Sequence, residues 1–332
     1  MKAVQIRDYN KNNIKVEIVE ISKPEIKSNQ VLVKVKTAGV NPLDNMITRG
    51  EVKLVVPYKL PLTIGNEIVG EIVEIDKNVK RFKLGDRVFS RLPLDSIGGF
   101  AEYVTIDESA IAKVPDYLSD EEAASVPLTA LTAMQAFELL DVKAGKTIFI
   151  SGGSGGFGAM AIPLAKTLGL KVITNGSGES KERILNLGAD VYIDYRKENY
   201  LEIVKDVDYV IDTIGGRELD KQFSILKNGG SLVSLRGLPN KDFAKKMNFP
   251  LWKQILFGLV GSKYDKLAQK NNQKYNFIFV RSNGKQLEHI AKIFEEKQIK
   301  PSVDKVFDFK DINKALDKVA NGRSNGKTVI KF

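Results

Sequence analysis

The glycines at positions 153, 155 and 158 follow the apolar run TIFI and precede a helical pattern, GFGAMAIPLAKTLG. In this order, GxGxxG spacing allows a tight turn and lets the backbone approach a pyrophosphate, whose charge the helix N-terminus stabilises. A glycine-rich turn that binds nothing is the alternative interpretation. The strand, loop and helix context favours a dinucleotide site, which we assign to Gly153, Ser154, Gly155, Gly156, Phe157 and Gly158.

The residues after the second strand of this region indicate which dinucleotide is bound. An NAD site needs an acidic residue about 20 residues past the loop to hold the ribose hydroxyl, whereas an NADP site needs hydroxyl and basic groups. The strand KVIT continues into Asn175 and Gly176 without an acid, and Ser177 and Lys181 can donate hydrogen bonds to a 2′-phosphate. Glu179 would favour NAD if the loop folded it inward, but a helix start also favours a solvated carboxylate. We therefore predict NADP, in its reduced form NADPH, as the cofactor.

The pattern of apolar and polar residues changes along the chain. Before position 124, runs that alternate apolar and polar residues, such as VLVKVKT, predict antiparallel strands of a partly open barrel. From Thr147 onward, apolar runs alternate with helical patterns, which is typical of a doubly wound parallel sheet. The elements after NFIFV are too few for a third domain and return to the barrel. We predict an α/β protein with a barrel domain of residues 1–124 and 281–332, and an inserted nucleotide-binding domain of residues 125–280.

The composition excludes several kinds of catalytic site. With no cysteine in 332 residues, the chain has no disulfide, no thiolate nucleophile and no cysteine-containing zinc site. The single histidine, His289, lies beside the apolar stripe of a predicted helix and cannot bind a metal alone, so we predict no metal. The formal net charge of +10 suits a phosphate-rich small molecule better than nucleic acid, because the lysines are scattered and do not alternate with aromatic residues.

Several segments, in their order along the chain, resemble the medium-chain dehydrogenase/reductase superfamily. They are AGVNPLDNMITRG, GNEIVGEIVEI, GDRVF, GGFAEYV, PLTALTA, the glycine loop, LGADVYIDY and NGRSNGKTVIKF. The resemblance is to the zinc-free quinone oxidoreductase branch, which includes enone and alkenal reductases, and it implies a Rossmann-type domain inserted into a GroES-like barrel. Zinc alcohol dehydrogenases of this superfamily have a cysteine in place of Asn41 and a histidine in place of Asn66, so the resemblance implies that the catalytic zinc is lost.

The resemblance also implies roles for individual residues. Asn41 and Asp44 would face the nicotinamide and the substrate, although a turn before Pro42 and a helix cap are alternative roles for them. Thr132 would contact the nicotinamide half, or else bond to its own helix backbone. Tyr195 would lie near the adenosine phosphate. Further cofactor contacts would come from Thr213, Ser234, Leu235, Gly237, Phe279, Val280, Gly326 and Lys327, with Arg236 and Arg323 as added charge or as plain surface cations.

Residues 238–275 fit the resemblance least well. Within them, Trp252, Ile255, Leu256 and Leu259 keep helical spacing among several lysines. We interpret this segment as a lid or a dimer-contact helix whose apolar face packs on the cleft. A basic amphipathic segment could instead touch an anionic membrane that carries lipophilic quinones.

Together these features predict a zinc-independent enzyme that transfers a hydride from NADPH to a quinone or an α,β-unsaturated carbonyl compound. No residue is an obvious general acid, so the proton would come through water or the ribose hydroxyl. An NADPH-sensing RNA-binding or regulatory protein without turnover is the alternative that the net charge of +10 suggests. The resemblance implies a homodimer joined through edge strands of the nucleotide domains. The N-terminal sequence MKAVQIRDYN lacks signal-peptide character, so we expect a cytoplasmic location.

Overall fold

The computed structural model describes residues 1–11, 15–322 and 324–332. The chain folds into two compact units, a first unit of residues 1–131 and 281–332 and a second unit of residues 132–280. The second unit is therefore inserted into the sequence of the first. The division falls inside a helix that spans Pro127–Leu140, rather than at position 124 where the sequence changes character.

Strands dominate the first unit, and strands alternate with helices in the second. The strands are β1 (Lys2–Ile6), β2 (Glu17–Glu20), β3 (Gln30–Val40), β4 (Leu62–Thr63), β5 (Glu67–Ile75), β6 (Arg87–Arg91), β7 (Tyr103–Asp107), β8 (Ile111–Lys113), β9 (Thr147–Ile150), β10 (Lys171–Gly176), β11 (Val191–Asp194), β12 (Val207–Asp212), β13 (Leu226–Ser234), β14 (Lys274–Phe277), β15 (Val303–Asp308) and β16 (Lys327–Lys331). The helices are α1 (Pro42–Thr48), α2 (Asp120–Ala123), α3 (Pro127–Leu140), α4 (Gly156–Thr167), α5 (Lys181–Asn186), α6 (Tyr200–Ile203), α7 (Gly216–Gln222), α8 (Lys241–Lys246), α9 (Leu251–Lys270), α10 (Gly284–Lys297) and α11 (Ile312–Asn321). Short 3-10 helices lie at Glu108–Ala110, Gly178–Ser180 and Phe309–Asp311.

The first unit contains a large sheet in the order β15-β16-β3-β5-β6-β8, with β7 also paired to β3, and a small sheet in the order β2-β1-β4. Among the described strands these pairings are antiparallel, apart from that of β15 with β16. Strand β3 is central, and Val31, Val33 and Val35 are buried along it. Its last residue, Val40, lies opposite Thr328, so the C-terminal strand runs beside the start of α1.

The described strands of the second unit form one parallel sheet in the order β11-β10-β9-β12-β13-β14. The strand order reverses at β9, as in a Rossmann-type fold. Ile148, Phe149 and Ile150 of β9 are fully buried, as expected for the central strand of a parallel sheet. Because all these strands run the same way, the loops after them meet at one side of the sheet, which we call the carboxyl edge. The predicted fold class is confirmed.

The helical stretch at 120–140 is the one stretch in the described part of the chain that is long and apolar enough to cross a membrane, by length and composition alone. In the folded protein, 83% of its most apolar window of 18 residues is buried. Ala130, Leu131, Ala133 and Ala136 of α3 are fully buried. The stretch therefore has the character of a core helix.

Helix α9 occupies most of residues 238–275, the segment that fits the family resemblance least well. Its buried side is formed by Phe257, Gly261, Tyr264 and Ala268, which repeat at helical spacing. The large apolar side chains Trp252, Ile255 and Leu259 are exposed on another side of the helix. The prediction of a helical segment is confirmed by α9, but the prediction that these three side chains pack on a cleft is wrong, because a different face of the helix is buried.

Candidate functional site

The glycine loop connects β9 to α4 and is tied to the end of β10. Gly152 has a φ of 65°, in the left-handed region that favours glycine, and its N–H donates to Asn175 Oδ1 at 2.8 Å. The Gly153 N–H donates to the carbonyl oxygen of Asn175 at 3.0 Å. A Cβ atom on Gly158 would overlap the backbone of Gly153. Glycine at these positions therefore lets the loop turn and lets α4 start directly against it.

The loop borders a cavity of about 670 Å³ at the carboxyl edge. This volume lies within the range of roughly 300–1,000 Å³ found for small-molecule sites. The N-cap residue of α4 is Gly155, which has no side chain to accept the first N–H groups of the helix. These groups and the helix dipole favour an anion. The lining residues of the cavity are Gly152, Ser154, Asn175, Gly176, Tyr195, Lys197, Glu198, Asn199, Tyr200, Ile214, Glu218 and Lys221.

The parallel sheet brings several other predicted cofactor residues to the carboxyl edge, because they directly follow β12, β13 and β14. Thr213 is next to the glycine loop, since its Oγ1 donates to the Ser151 carbonyl oxygen at 2.7 Å. The other residues are Ser234, Leu235 and Gly237 at the end of β13, and Phe279 and Val280 after β14. Their contacts with a cofactor stay predictions.

Asp212, which the sequence analysis did not single out, organises this edge. It is fully buried and accepts hydrogen bonds from Ser234 Oγ at 2.5 Å and from Gln222 Nε2 at 3.1 Å. The backbone N–H groups of Ile214 and Gly215 also donate to it. One carboxylate therefore holds the loops after β12 and β13. The signal in the sequence was an acid at the end of the apolar run YVID.

The end of β10 carries no acidic residue, as the sequence showed. Glu179 turns outward, with its side chain 77% exposed, and accepts from Arg196 at 3.3 Å. Ser177 and Lys181 follow β10, but of the described residues they are not among those that line the cavity. Lys197 does line it, and sequence reasoning missed it. The signal was its position after β11, which is the neighbour of β10 in a Rossmann-type sheet.

The first unit contains a buried cluster of Asn41, Asp44, Asn66, Glu67 and Lys327, which we call the polar network. Asp44 accepts from the Asn41 N–H and from Asn66 Nδ2, both at 2.7 Å. Glu67 accepts from Asn41 Nδ2 at 2.7 Å and from the Lys327 ammonium group. The same ammonium group donates to Asn41 Oδ1 at 2.6 Å. Because β5 begins at Glu67 and β16 at Lys327, the strand pairing with β3 places all five residues around the start of α1.

The carboxyl group of Asp44 is fully buried, and this environment alters its ionisation. Burial raises the pKa of Asp44 from 3.8 to about 6, because desolvation disfavours the charged form. The hydrogen bonds from Asn66 and Asn41 act in the opposite direction and only partly offset the burial. The predicted helix-cap role of Asp44 is confirmed by its bond to the Asn41 N–H. A catalytic role for either residue stays a prediction.

Arg91, at the end of β6 and opposite Glu67, is a second charged residue that sequence reasoning missed. It is fully buried, and its Nη1 donates to the Leu92 carbonyl oxygen. Its Nε and Nη2 have no hydrogen-bond partner within the described part of the chain. Burial lowers the pKa of Arg91 to about 10, although Tyr58 and Glu67 favour its charged form. The only signal in the sequence was a charge at the end of the apolar strand DRVFSR.

The remaining predicted residues are divided between the two units. Thr132 is buried in α3, at the start of the second unit. Gly326 and Lys327 belong to the first unit, where a Cβ on Gly326 would collide with the Ser302 carbonyl oxygen. Lys327 is bonded within the polar network, so its proposed cofactor contact stays a prediction. Arg236 follows β13 at the carboxyl edge, and Arg323 lies outside the described residues.

Comparisons with known proteins agree with this architecture. Residues 27–116 match the family model described as alcohol dehydrogenase GroES-like domain, and residues 187–330 match that of zinc-binding dehydrogenase. The chain is 31% identical to 2-methylene-furan-3-one reductase of Solanum lycopersicum, over 99% of this chain and 79% of the relative. It is 34% identical to the NADPH-dependent alkenal/one oxidoreductase of Arabidopsis thaliana, over 75% of this chain and 68% of the relative.

A solved structure also agrees with this architecture. The quinone oxidoreductase from Coxiella burnetii matches with a TM-score of 0.85 and 28% identity, over 100% of this chain and 99% of that one. The fold, the glycine loop of the second unit and these relatives therefore define an oxidoreductase of two domains. The chain belongs to the medium-chain dehydrogenase/reductase superfamily, among its quinone and alkenal/one oxidoreductases.

One of the matching family models carries zinc in its description, but the residues of this chain do not fit a catalytic zinc ion. Amides stand at positions 41 and 66, where the zinc enzymes that the sequence resembles have a cysteine and a histidine, and thiolate and imidazole are the ligands that zinc prefers. The Asn41 amide oxygen already accepts from the Lys327 ammonium group, whose charge would repel a metal cation. Within the described residues, no three His, Cys, Asp or Glu side chains are grouped so as to hold a metal.

Proposed function

We propose that this protein reduces quinones or α,β-unsaturated carbonyl compounds with NADPH, by hydride transfer and without zinc. The observation that carries the proposal is the glycine cradle of Gly152, Gly153 and Gly158, where added side chains would collide with the loop or its neighbours, at the border of the cavity. Such a cradle fits a dinucleotide pyrophosphate, because the uncapped N-terminus of α4 adds N–H donors and a partial positive charge. The names of the two plant relatives support an α,β-unsaturated carbonyl compound as the hydride acceptor.

The lack of an acid at the end of β10 and the position of Lys197 support NADPH over NADH. No carboxylate follows β10 to hold a ribose 2′-hydroxyl, and Glu179 is held outward by Arg196. Lys197 lines the cavity and offers an ammonium group to a 2′-phosphate. Ser177 and Lys181 remain proposed donors to the same phosphate. The relative from Arabidopsis thaliana is named as NADPH-dependent, which agrees with this assignment.

When it is bound, NADPH supplies the hydride, and the protein supplies binding and electrostatics. The glycine loop and α4 would hold the pyrophosphate, while Tyr195 and Lys197 would hold the adenosine end. Asp212 fixes the loops after β12 and β13 against Ser234 and Gln222. These residues would position the cofactor and the loops around it, and none of them needs to exchange a proton.

The polar network supports a conjugated acceptor in preference to a simple ketone. Its only ammonium group, on Lys327, is bonded to Asn41 and to one buried acid, Glu67, and the second buried acid, Asp44, accepts two hydrogen bonds. The network therefore presents a fixed cation rather than a free general acid. A quinone or enone spreads the incoming negative charge by conjugation and needs less assistance from an acid than a plain ketone does. The proton would come from water or the ribose hydroxyl.

Titration of reduced coenzyme by nicotinamide fluorescence tests the cofactor assignment. We expect Lys197→Met to weaken NADPH binding about tenfold, the value of one charge-assisted hydrogen bond, with NADH binding unchanged. Lys171→Met, an exposed lysine at the opposite end of β10, is the matched control and should alter neither affinity. Ser177→Ala and Lys181→Met in the same assay show which donors share the phosphate. An equal loss of NADPH and NADH affinity in Lys197→Met would contradict a 2′-phosphate contact.

The relatives give no support to an RNA-binding or regulatory function. None of the relatives described above is named as an RNA-binding or regulatory protein. A homodimer through an edge strand such as β14 and a cytoplasmic location remain proposals. Light scattering of the purified protein, with β14 altered by Asn276→Pro, tests the dimer, because proline removes a backbone donor from the strand.

A further inference from the structure

Helix α9 exposes four large apolar side chains on one face of its N-terminal half. Leu251, Trp252, Ile255 and Leu259 are 69%, 58%, 54% and 71% exposed. Their spacing of one, four and eight residues puts them on one side of a helix. The opposite side already packs on the second unit through Phe257 and neighbouring residues, so this face is not required for the core. We call these four residues the apolar face.

Positive charge surrounds the apolar face. Lys253 lies 5.6 Å from the centre of the Trp252 ring, and Lys266 and Lys270 continue the exposed side of α9 toward its end, while Lys263 on the same side is paired with Asp220 at 2.6 Å. The acid on α9, Asp265, is half-buried and accepts a hydrogen bond from Asn240. The preceding helix, α8, adds the exposed lysines Lys241, Lys245 and Lys246 and one exposed acid, Asp242, so lysines outnumber acids there by three to one. An apolar stripe bordered by lysines is the pattern of helices that lie in the interface of an anionic bilayer.

We propose that the apolar face of α9 and its surrounding lysines dock this protein on an anionic lipid surface. The four apolar side chains would enter the boundary between headgroups and acyl chains, and the lysines would contact lipid phosphates. Trp252 suits this position, because an indole ring places an apolar body and a polar N–H at such a boundary.

Charge complementarity favours lipid over a second copy of the chain. A second copy of the chain on this face would bring the same lysines with it, and the chain carries a formal net charge of +10. Like charges that meet in an interface oppose association. An anionic bilayer instead neutralises the same lysines while it covers the same apolar side chains.

The chain contains a single tryptophan, Trp252, so its fluorescence reports directly on this face. We expect vesicles of phosphatidylcholine with phosphatidylglycerol to shift its emission to shorter wavelength and to float with the protein. Vesicles of phosphatidylcholine alone should do neither. The binding should weaken at high salt, because salt screens the lysines.

Two variants separate the contributions of apolar contact and charge. We expect the double variant Ile255→Glu with Leu259→Glu to lose at least about tenfold in vesicle affinity, since both side chains would enter the bilayer. Lys266→Glu with Lys270→Glu should lose at least about tenfold through charge alone. The matched control is Leu84→Glu, at a leucine of the first unit that is 63% exposed, which should bind as the wild type does. Circular dichroism and NADPH oxidation with a water-soluble acceptor verify that each variant is folded.

Three results would overturn the proposal. The first is an equal emission shift with neutral and anionic vesicles, and the second is no shift and no flotation with either. The third is a fall in molar mass, by light scattering without lipid, when Ile255→Glu and Leu259→Glu are introduced. That fall would identify a second copy of the chain as the occupant of the face.

Discussion

The carboxyl edge of the second unit and the polar network of the first are built in opposite ways. At the carboxyl edge, the shape depends on side chains that are missing at Gly152, Gly153 and Gly158, and a cavity of about 670 Å³ remains open beside them. In the polar network, Lys327 and Glu67 fill the space and satisfy each other. The first region leaves room and backbone donors for a large anionic ligand. The second keeps its charges inside the protein.

The two regions should therefore contribute differently, the carboxyl edge to cofactor binding and the polar network to stability. Changes at the carboxyl edge that add atoms facing the ligand should lower cofactor binding with little effect on the free energy of unfolding. Changes in the polar network should lower the free energy of unfolding first, because they leave a buried charge without its partner. The following predictions test this separation.

The largest expected effect is in the polar network, from Lys327→Met. This change leaves the carboxylate of Glu67, which is fully buried, without its cation, and we expect a loss of about 3–5 kcal/mol in the free energy of unfolding by urea. Glu67→Gln added to Lys327→Met should recover much of the loss. The surface pair of Lys314 with Asp311 is the control, and Lys314→Met should cost under about 1 kcal/mol. Equal losses in Lys327→Met and Lys314→Met would show that the network is not a stabilising unit.

At the carboxyl edge, Gly158→Ala and Gly155→Ala form a matched pair. A Cβ on Gly158 would overlap the backbone of Gly153, so we expect a loss of about 1–3 kcal/mol in the free energy of unfolding. A Cβ on Gly155 would meet only the Gly152 carbonyl oxygen at 3.6 Å, so stability should be unchanged. Gly155→Ala should still weaken NADPH binding about tenfold, because the backbone would no longer approach the pyrophosphate closely. Unchanged NADPH affinity in Gly155→Ala would remove the pyrophosphate from this loop.

Arg91 is an exception to the rule that buried charges of the first unit are paired. It is buried there, yet two of its nitrogens have no hydrogen-bond partner among the described residues. Since burial lowers its pKa to about 10, we expect Arg91→Met to raise the free energy of unfolding by about 2 kcal/mol. Arg87, in the same strand, donates to Asp120 at 2.7 Å and to Leu118, so Arg87→Met should instead lower stability. Urea unfolding measures both, and a loss of stability in Arg91→Met would show that its charge is well compensated.

Asp44 gives the smallest predicted effect and a defined pH dependence. Because its pKa is raised in the folded protein, its contribution to stability is fully present below its ordinary pKa of 3.8 and is lost as the pH rises through about 6. Between pH 5 and pH 7.5 the wild type should lose about 1.4 kcal/mol more than Asp44→Asn does. Urea unfolding at both pH values gives this difference directly. Parallel curves for the two proteins would mean that Asp44 titrates in its ordinary range.

The fold and the glycine loop could be predicted from the sequence because their signals are local. The spacing of Gly153, Gly155 and Gly158 and the apolar runs of β9 to β14 lie in short windows. The polar network could not be predicted, because Asn41 and Lys327 are 286 residues apart and meet only through the pairing of β3 with β16.

The errors in the second unit have related causes. The residues after β10 alone do not predict Lys197, because strand order also brings the end of β11 to the cavity. In α9, Trp252, Ile255 and Leu259 keep helical spacing, but periodicity alone does not tell which face of a helix is buried. Phe257 and Tyr264 lie on a second stripe at the same period, where Phe257 packs against Phe243 of α8 and Tyr264 packs against Tyr275 of β14.

The most direct test of the central claim is a comparison of initial rates of NADPH oxidation with an enone and with its saturated ketone, in buffer treated with a metal chelator. The polar network offers a fixed cation and the chain offers no zinc ligands at positions 41 and 66, so we expect rapid reduction of the enone and none of the saturated ketone. Reduction of the saturated ketone at a comparable rate, or ketone reduction that appears when zinc is added back, would contradict the account.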